Sequence, residues 1–277
     1  MSQIEPVSVN VRKILKSKLP TTKVPGFIVK YLEHISHQDE INLILSKFRD
    51  LYGTDFIKAT LHHLGIKLTV YGLDELPEGH FTFAGNHPMG GIDGMCTGLA
   101  IHERYPEQSI QFLSNDLLAN IPNLLPLFIP INKVGDQSQN RSLPKALDEA
   151  YHSGHQMVIF PSGTCSRRVK GKITEMGWSK SFIKKSIESK RDVVPVYFEG
   201  RNSNFFYSLS SIRKMLGIQS NIEMLYLADE LFKQRNRSFR VFFGKPIPYT
   251  TFDKSKTHQQ WADWMRLKSL ELAKKIR

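Results

Sequence analysis

The sequence predicts an α/β protein, a mixed and largely parallel sheet flanked by helices, behind an N-terminal helical segment. Three observations carry this. Apolar residues recur at helical spacing through residues 8–64. From residue 66 onward short apolar or β-branched runs alternate with amphipathic stretches, the pattern of strands and helices in an α/β sheet. The chain has 277 residues, 40% of them hydrophobic, enough for a substantial core.

In order, residues 8–19 read as a short basic helix with Val11, Ile14, Leu15 and Leu19 in register, ended by Pro20 and Pro25. Residues 27–64 hold two helices and a shorter third piece. Phe27, Tyr31, Leu32 and Ile35 form one face; Ile41, Ile44, Leu45, Phe48 and Leu51 form another, and Gly53 is the stop after it. Ile66 to Tyr71 alternates as a strand does, and Gly72 to Gly79 is turn-rich. Strands are expected at Phe81–Ala84, Ile110–Leu113, Leu127–Ile131, Met157–Phe160, Val193–Phe198, Ile222–Leu227 and Phe239–Phe243. The proline in Leu127–Ile131 demotes that strand. Helices are expected at Gly94–Arg104, Pro144–Ser153, Ser179–Ser189 and Thr257–Lys275. In the last, Trp261, Trp264, Met265, Leu267 and Leu270 are the apolar positions. The organisation read from this is a helical segment over 1–65, either a membrane-docking element or helices packed on the sheet, and an α/β domain over 66–277.

Lysine and arginine outnumber acidic residues to give a formal charge of +12. Such an excess points to an acidic partner: nucleic acid, an anionic membrane face, or an acidic carrier or cofactor. The basic residues are scattered, with no zinc spacing and no RNA-binding aromatic signature, so nucleic acid is not expected. No apolar run reaches the roughly 20 residues of a spanning helix. The expected location is therefore peripheral, on the cytoplasmic face of a membrane. Cys96 and Cys165 make no framework, which points to a reducing compartment. No metal is expected, since the pairs His34/His37 and His62/His63 lack a third ligand.

Three segments carry chemistry. Asn86-His87-Pro88-Met89-Gly90-Gly91-Ile92-Asp93-Gly94 follows a strand and precedes a helix. A histidine oriented by a carboxylate accepts a proton from a hydroxyl. An ordinary helix cap beside a loop histidine leaves the same pattern, so spacing alone does not separate the two. Phe160-Pro161-Ser162-Gly163-Thr164-Cys165-Ser166-Arg167-Arg168 places adjacent arginines after a glycine-containing turn. Guanidinium reads phosphate or carboxylate bidentately, although a basic solubilising loop has the same composition. Val193-Val194-Pro195-Val196 is a core strand leading into Glu199-Gly200-Arg201-Asn202-Ser203-Asn204-Phe205-Phe206, either a plain turn or a pocket mouth.

Together these segments resemble the lysophospholipid acyltransferase family, over roughly Ile66 to Pro248. Asn86-His87 through Asp93 looks like the first block, whose His and Asp are the catalytic pair. Phe128-Ile129-Pro130-Ile131-Asn132-Lys133 looks like a degenerate second block with Lys133 as its basic residue. Phe160 to Arg167 looks like the third block, commonly Phe-Pro-Glu-Gly-Thr-Arg-Ser, and Val194-Pro195-Val196 like the fourth. This chain departs from the pattern with five residues between His87 and Asp93, Ser162 where Glu is usual, and Cys165 where Arg is usual. The His-Pro-x-Gly-Gly-x-Asp form resembles a bacterial branch of hemolysin-like proteins and O-acyltransferases of lyso-aminolipids.

The resemblance implies direct acyl transfer to a lyso-lipid hydroxyl, with His87 as general base supported by Asp93. It implies an acyl-ACP or acyl-CoA thioester as co-substrate and no bound cofactor. Implied substrate contacts are Ser162, Gly163, Thr164, Arg167, Arg168, Lys133 and Asn202; the backbone N–H groups of Gly90, Gly91 or Gly163 are the implied oxyanion donors. A lysophosphatidate or glycerol-phosphate acyltransferase is the alternative. A serine hydrolase fits less well, because Ser162 is not in a Gly-x-Ser-x-Gly elbow. Cys165 is the remaining nucleophile candidate.

Overall fold

The computed structural model describes residues 8–18, 20–115, 121–131 and 139–276. Lys133 and Leu19 lie outside them. Four helices come first: α1 (Val11–Lys18), α2 (Gly26–Ile35), α3 (Gln38–Lys47) and α4 (Gly53–His63). Gly53 opens α4 instead of closing α3, at a positive φ of 59°.

The rest is one sheet and its helices. The strands are β1 (Lys67–Tyr71), β2 (Thr82–Gly85), β3 (Ile110–Asn115), β4 (Phe128–Ile131), β5 (Gln156–Ile159), β8 (Val193–Glu199) and β9 (Ser238–Phe243), and a separate hairpin is formed by β6 (Arg167–Val169) and β7 (Lys172–Thr174). The helices are α5 (Gly91–Arg104), α6 (Gln139–His152), α7 (Ser181–Ser189), α8 (Asn204–Met215), α9 (Leu227–Phe232) and α10 (His258–Glu271). Strand order is β1-β9-β8-β2-β5-β3-β4. Every pairing in it is parallel except β8 with β9. The mixed, largely parallel sheet is thus as expected. The strand demoted for its Pro130 sits at the edge as β4, where a missing N–H is tolerated.

The central strands β2, β5 and β8 are buried along nearly their whole length, as a sheet covered on both faces requires. One core joins Ile44, Leu45, Phe56, Ile57 and Leu61 of α3 and α4 to Phe83, Val194, Val196 and Phe243 of the sheet. A second core, on the other side, packs Trp178, Phe182 and Ile183 against Trp261 and Met265 of α10. The helical preface from α3 onward therefore buries its apolar face on the sheet. In α2 the apolar residues divide: Val29 and Ile35 are buried, whereas Phe27 and Tyr31 are exposed.

Three elements depart from expectation. The end of the run read as a turn or pocket mouth, Asn204 to Phe206, opens helix α8 instead; Ser203 caps it by accepting from the Phe206 N–H at 3.2 Å. Ile222 to Leu227, read as a strand, is a 3-10 turn (Ile222–Tyr226) leading into α9. The apolar run there misleads because Glu223, its second residue, is fully buried on two arginines. Finally, α6 begins at Gln139, upstream of Pro144.

Candidate active site

Parallel strands open a crevice at their carboxyl ends, and β2, β5 and β8 lie side by side. The three chemistry-bearing segments leave from those three ends. Asn86 fixes the first of them. Its side chain donates to the Phe198 carbonyl at 3.0 Å and accepts from the Phe198 N–H at 2.7 Å, extending the β2–β8 contact by one side-chain pair.

His87 follows. Its ring stacks on Phe160 from the end of β5, centroids 4.4 Å apart. Its Nδ1 lies 3.2 Å from Oδ2 of Asp93, in the first turn of α5. The distance is that of an ion pair, but the ring nitrogen is off the line of a good hydrogen bond. Asp93 is fully buried and held by backbone N–H groups: Met89 at 3.0 Å and Gly90 at 3.3 Å onto Oδ2, and Gly94 at 2.9 Å onto Oδ1. The loop needs glycine at 90. Its φ is 99°, and a Cβ there would come within 3.2 Å of the Cys165 sulfur and 3.1 Å of Leu227.

Burial by itself pushes the His87 imidazole down, and Arg167 adds to that. The Asp93 carboxylate, assisted by Glu175, outweighs both and holds the pKa above the ordinary imidazole range. Burial raises the Glu175 carboxyl, against hydrogen bonds from Trp178, the His87 backbone and Ser166.

The adjacent arginines do not form one anion site. They lie on β6, where successive side chains point to opposite faces. Arg167 turns inward, 3.3 Å from Glu223, and donates to the Cys165 carbonyl and the Thr164 hydroxyl, both at 2.9 Å. Arg168 turns toward α8, donating to Asn204 at 3.2 Å and Ser208 at 3.3 Å, and keeps partial exposure. Ser162 donates to the Thr164 carbonyl at 2.9 Å. The Gly163 N–H donates to the Phe160 carbonyl at 2.9 Å, and the Gly90 N–H is directed at Asp93. Neither is therefore placed as an oxyanion donor in this arrangement. Gly91 opens α5, where the first N–H groups have no intrahelical acceptor. Asn202 is buried with its side-chain amide unpaired, while its backbone N–H donates to the Tyr207 hydroxyl at 3.1 Å.

The profile of a protein family described as Acyltransferase matches residues 13–276. The chain belongs to this acyltransferase family. A lyso-glycine lipid O-acyltransferase of Bacteroides thetaiotaomicron is 49% identical over 261 residues, 93% of this chain and 95% of that protein. A lyso-glycine lipid O-acyltransferase of Phocaeicola vulgatus is 48% identical over 93% of this chain and 92% of its own. Among solved structures, the 1-acyl-sn-glycerophosphate acyltransferase PlsC of Thermotoga maritima shares 15% identity over 89% of each chain, with a TM-score of 0.48. The family read from the motifs is thereby borne out, and the protein is an enzyme of acyl transfer.

The thiols of this acyltransferase are poorly suited to nucleophilic attack. Both are buried; burial pushes Cys165 up to about 12 and Cys96 higher still, so neither is a thiolate near neutrality. Among the described residues no cluster of three or more His, Cys, Asp or Glu is placed to hold a metal ion. Sequence reasoning missed Glu175. It stands beside His87 only after the chain has passed through β5 and the β6–β7 hairpin, and no local pattern marks it.

Proposed function

We propose that this acyltransferase moves a fatty acyl chain from an acyl thioester to the hydroxyl of a lyso-lipid. His87 acts as general base and Asp93 as its partner. The observation that carries this reading is the His87–Asp93 pair at the end of β2, with the carboxylate fully buried and fixed by three N–H groups. Nδ1 faces Asp93, which leaves Nε2 for the acceptor hydroxyl. Nε2 takes the hydroxyl proton as the oxygen attacks the thioester carbonyl. The tetrahedral oxyanion collapses, the C–S bond breaks, and the departing thiolate takes the proton back from the imidazolium. Asp93 steadies the imidazolium between the two transfers.

The relatives are named for a lyso-glycine lipid, so an acceptor with a carboxylate headgroup is the reading preferred over glycerol phosphate or lysophosphatidate. Acyl carrier protein and coenzyme A are both acidic, and a chain of charge +12 suits either as donor. Lipid extracts of cells supplied with lyso-lipids and expressing the intact enzyme or His87→Ala are to be compared by mass spectrometry. A diacylated product seen only with His87 supports the reading, and its mass names the acceptor. Identical lipid profiles would overturn it.

The acceptor is reached from a bilayer. No helix among the described residues is long and apolar enough to cross one. The protein instead docks on an anionic membrane through a composite apolar face. Tyr226 of the 3-10 turn stands 6.5 Å from Tyr31 of α2 and 5.0 Å from Phe205 of α8, ring to ring. Phe27 and Met215, on the same two helices, are 75% and 78% exposed. Beside α2, α1 carries exposed Arg12, Lys13 and Lys16. Such a face supplies apolar area and attraction to anionic headgroups together. The double variant Phe27→Ser, Met215→Ser should weaken binding to vesicles containing anionic lipid by about tenfold or more. Unchanged co-flotation would remove this face from the account.

A further inference from the structure

We propose that Glu175 is a positioning residue for His87, its carboxylate clamping the histidine loop to the loop after β5. The inference rests on His87 being the general base. Glu175 follows β7 and is 7% exposed. Its Oε2 accepts from the His87 backbone N–H at 3.2 Å and from the Ser166 hydroxyl at 3.0 Å. The Ser166 N–H in turn donates to the His87 carbonyl at 2.9 Å. Both backbone polar groups of His87 are thus gripped, one by Glu175 and one by Ser166, and these two grip each other.

The clamp is anchored in the second core. Oε1 of Glu175 accepts from the indole N–H of Trp178 at 3.1 Å, and Trp178 is 1% exposed. Arg266 of α10 donates to the Glu175 carbonyl at 3.2 Å. A carboxylate suits this place because three donors converge on it and it accepts without donating. A glutamine amide would present its own N–H groups to one of those donors. Glu175 thus supplies a carboxylate to the loop after β5 from a later segment.

The charge matters as well as the clamp. The charged groups acting on His87 are Asp93 from α5, Glu175 from beyond β7 and Arg167 from β6. The two carboxylates raise the imidazole; Arg167 and burial lower it. Removing the Glu175 charge removes one raising influence, so the imidazole then loses its proton at lower pH.

The test uses Glu175→Gln and Glu175→Asp in the full-length enzyme, assayed with a lyso-lipid and an acyl thioester. For Glu175→Gln, kcat should fall by ~10–10²-fold with little change in KM for the lyso-lipid. The acidic limb of the kcat/KM profile should move to lower pH. NMR titration of 13C-labelled His87, assigned by its loss in His87→Ala, should shift the same way. Glu175→Asp keeps the charge and shortens the reach, so kcat should fall while the acidic limb stays. A side chain with only a structural part would change thermal stability and leave the pH profile and the His87 titration in place; that result would overturn the proposal. Should the glutamine variant not fold, Glu175→Asp decides, and an unchanged kcat would be fatal. If the intact enzyme makes no acylated product, the general-base reading has failed, and the His87 titration still reports whether Glu175 acts on the imidazole.

Discussion

Replacing His87 by alanine should lower turnover by ~10²–10⁴-fold, the usual contribution of a positioned general base. Folding should survive, because the ring keeps some exposure and stacks on Phe160 at the rim of the crevice instead of filling the core. Asp93→Asn should lose a similar factor for a different reason. The amide keeps one acceptor for the N–H groups of Met89, Gly90 and Gly94, but it can no longer stabilise the imidazolium. The pH dependence separates these roles. A base must be unprotonated, so wild-type activity should rise through a pKa above the ordinary imidazole range. Stability runs the other way. The folded-state pKa of His87 is raised, so its ion pair contributes fully below the unfolded pKa and is lost as pH rises through the folded value. The Tm gap between wild type and His87→Ala should therefore be widest below about pH 6 and close at alkaline pH. A gap that widened with rising pH would mean that the pair is not an imidazolium–carboxylate pair.

The legibility of this site in the sequence follows the distance between its partners along the chain. His87 and Asp93 lie within one strand–loop–helix unit, where glycines, a first-turn carboxylate and a preceding apolar run are local signals. The strands were legible for the same reason, since β2, β5 and β8 are short apolar runs between turn residues. The hairpin β6–β7 was not. Its strands are three residues each, too short for a visible period, and its turn residues Lys170 and Gly171 sit in a basic stretch. Without the hairpin the two arginines read as one anion site, whereas adjacent residues on a strand point to opposite faces and do not share a ligand as adjacent residues on a turn can. Glu175 and Glu223 were silent for a related reason. An isolated glutamate ordinarily signals solvent, and only long-range packing buries these two. The exposed side chains of α2 show the converse: Phe27 and Tyr31 share helical spacing with Ile35, yet periodicity does not say which apolar residues are covered.

Glu223→Ala should destabilise the fold severely, by about 3–5 kcal/mol. Glu223 is fully buried and holds two guanidinium groups, Arg213 at 2.8 Å and Arg167 at 3.3 Å. Truncating it leaves two buried cations without a counter-charge, where breaking an ion pair costs far more than the pair itself contributes. A loss of that size is a large fraction of a domain's ~5–15 kcal/mol. It should lower Tm by about 10 °C, which calorimetry reads directly. Arg168→Ala is the contrast. Arg168 is partly exposed and bonded only to Asn204 and Ser208, so its loss should change stability by less than about 1 kcal/mol. Its effect should fall on substrate. With Arg167 buried against Glu223, the partly exposed Arg168 is the member of the pair open to an anionic headgroup, and a raised KM with kcat preserved would place it there. A Tm unchanged in Glu223→Ala would show that Arg167 is free of its carboxylate in solution. That result would return Arg167 to the acceptor site beside His87.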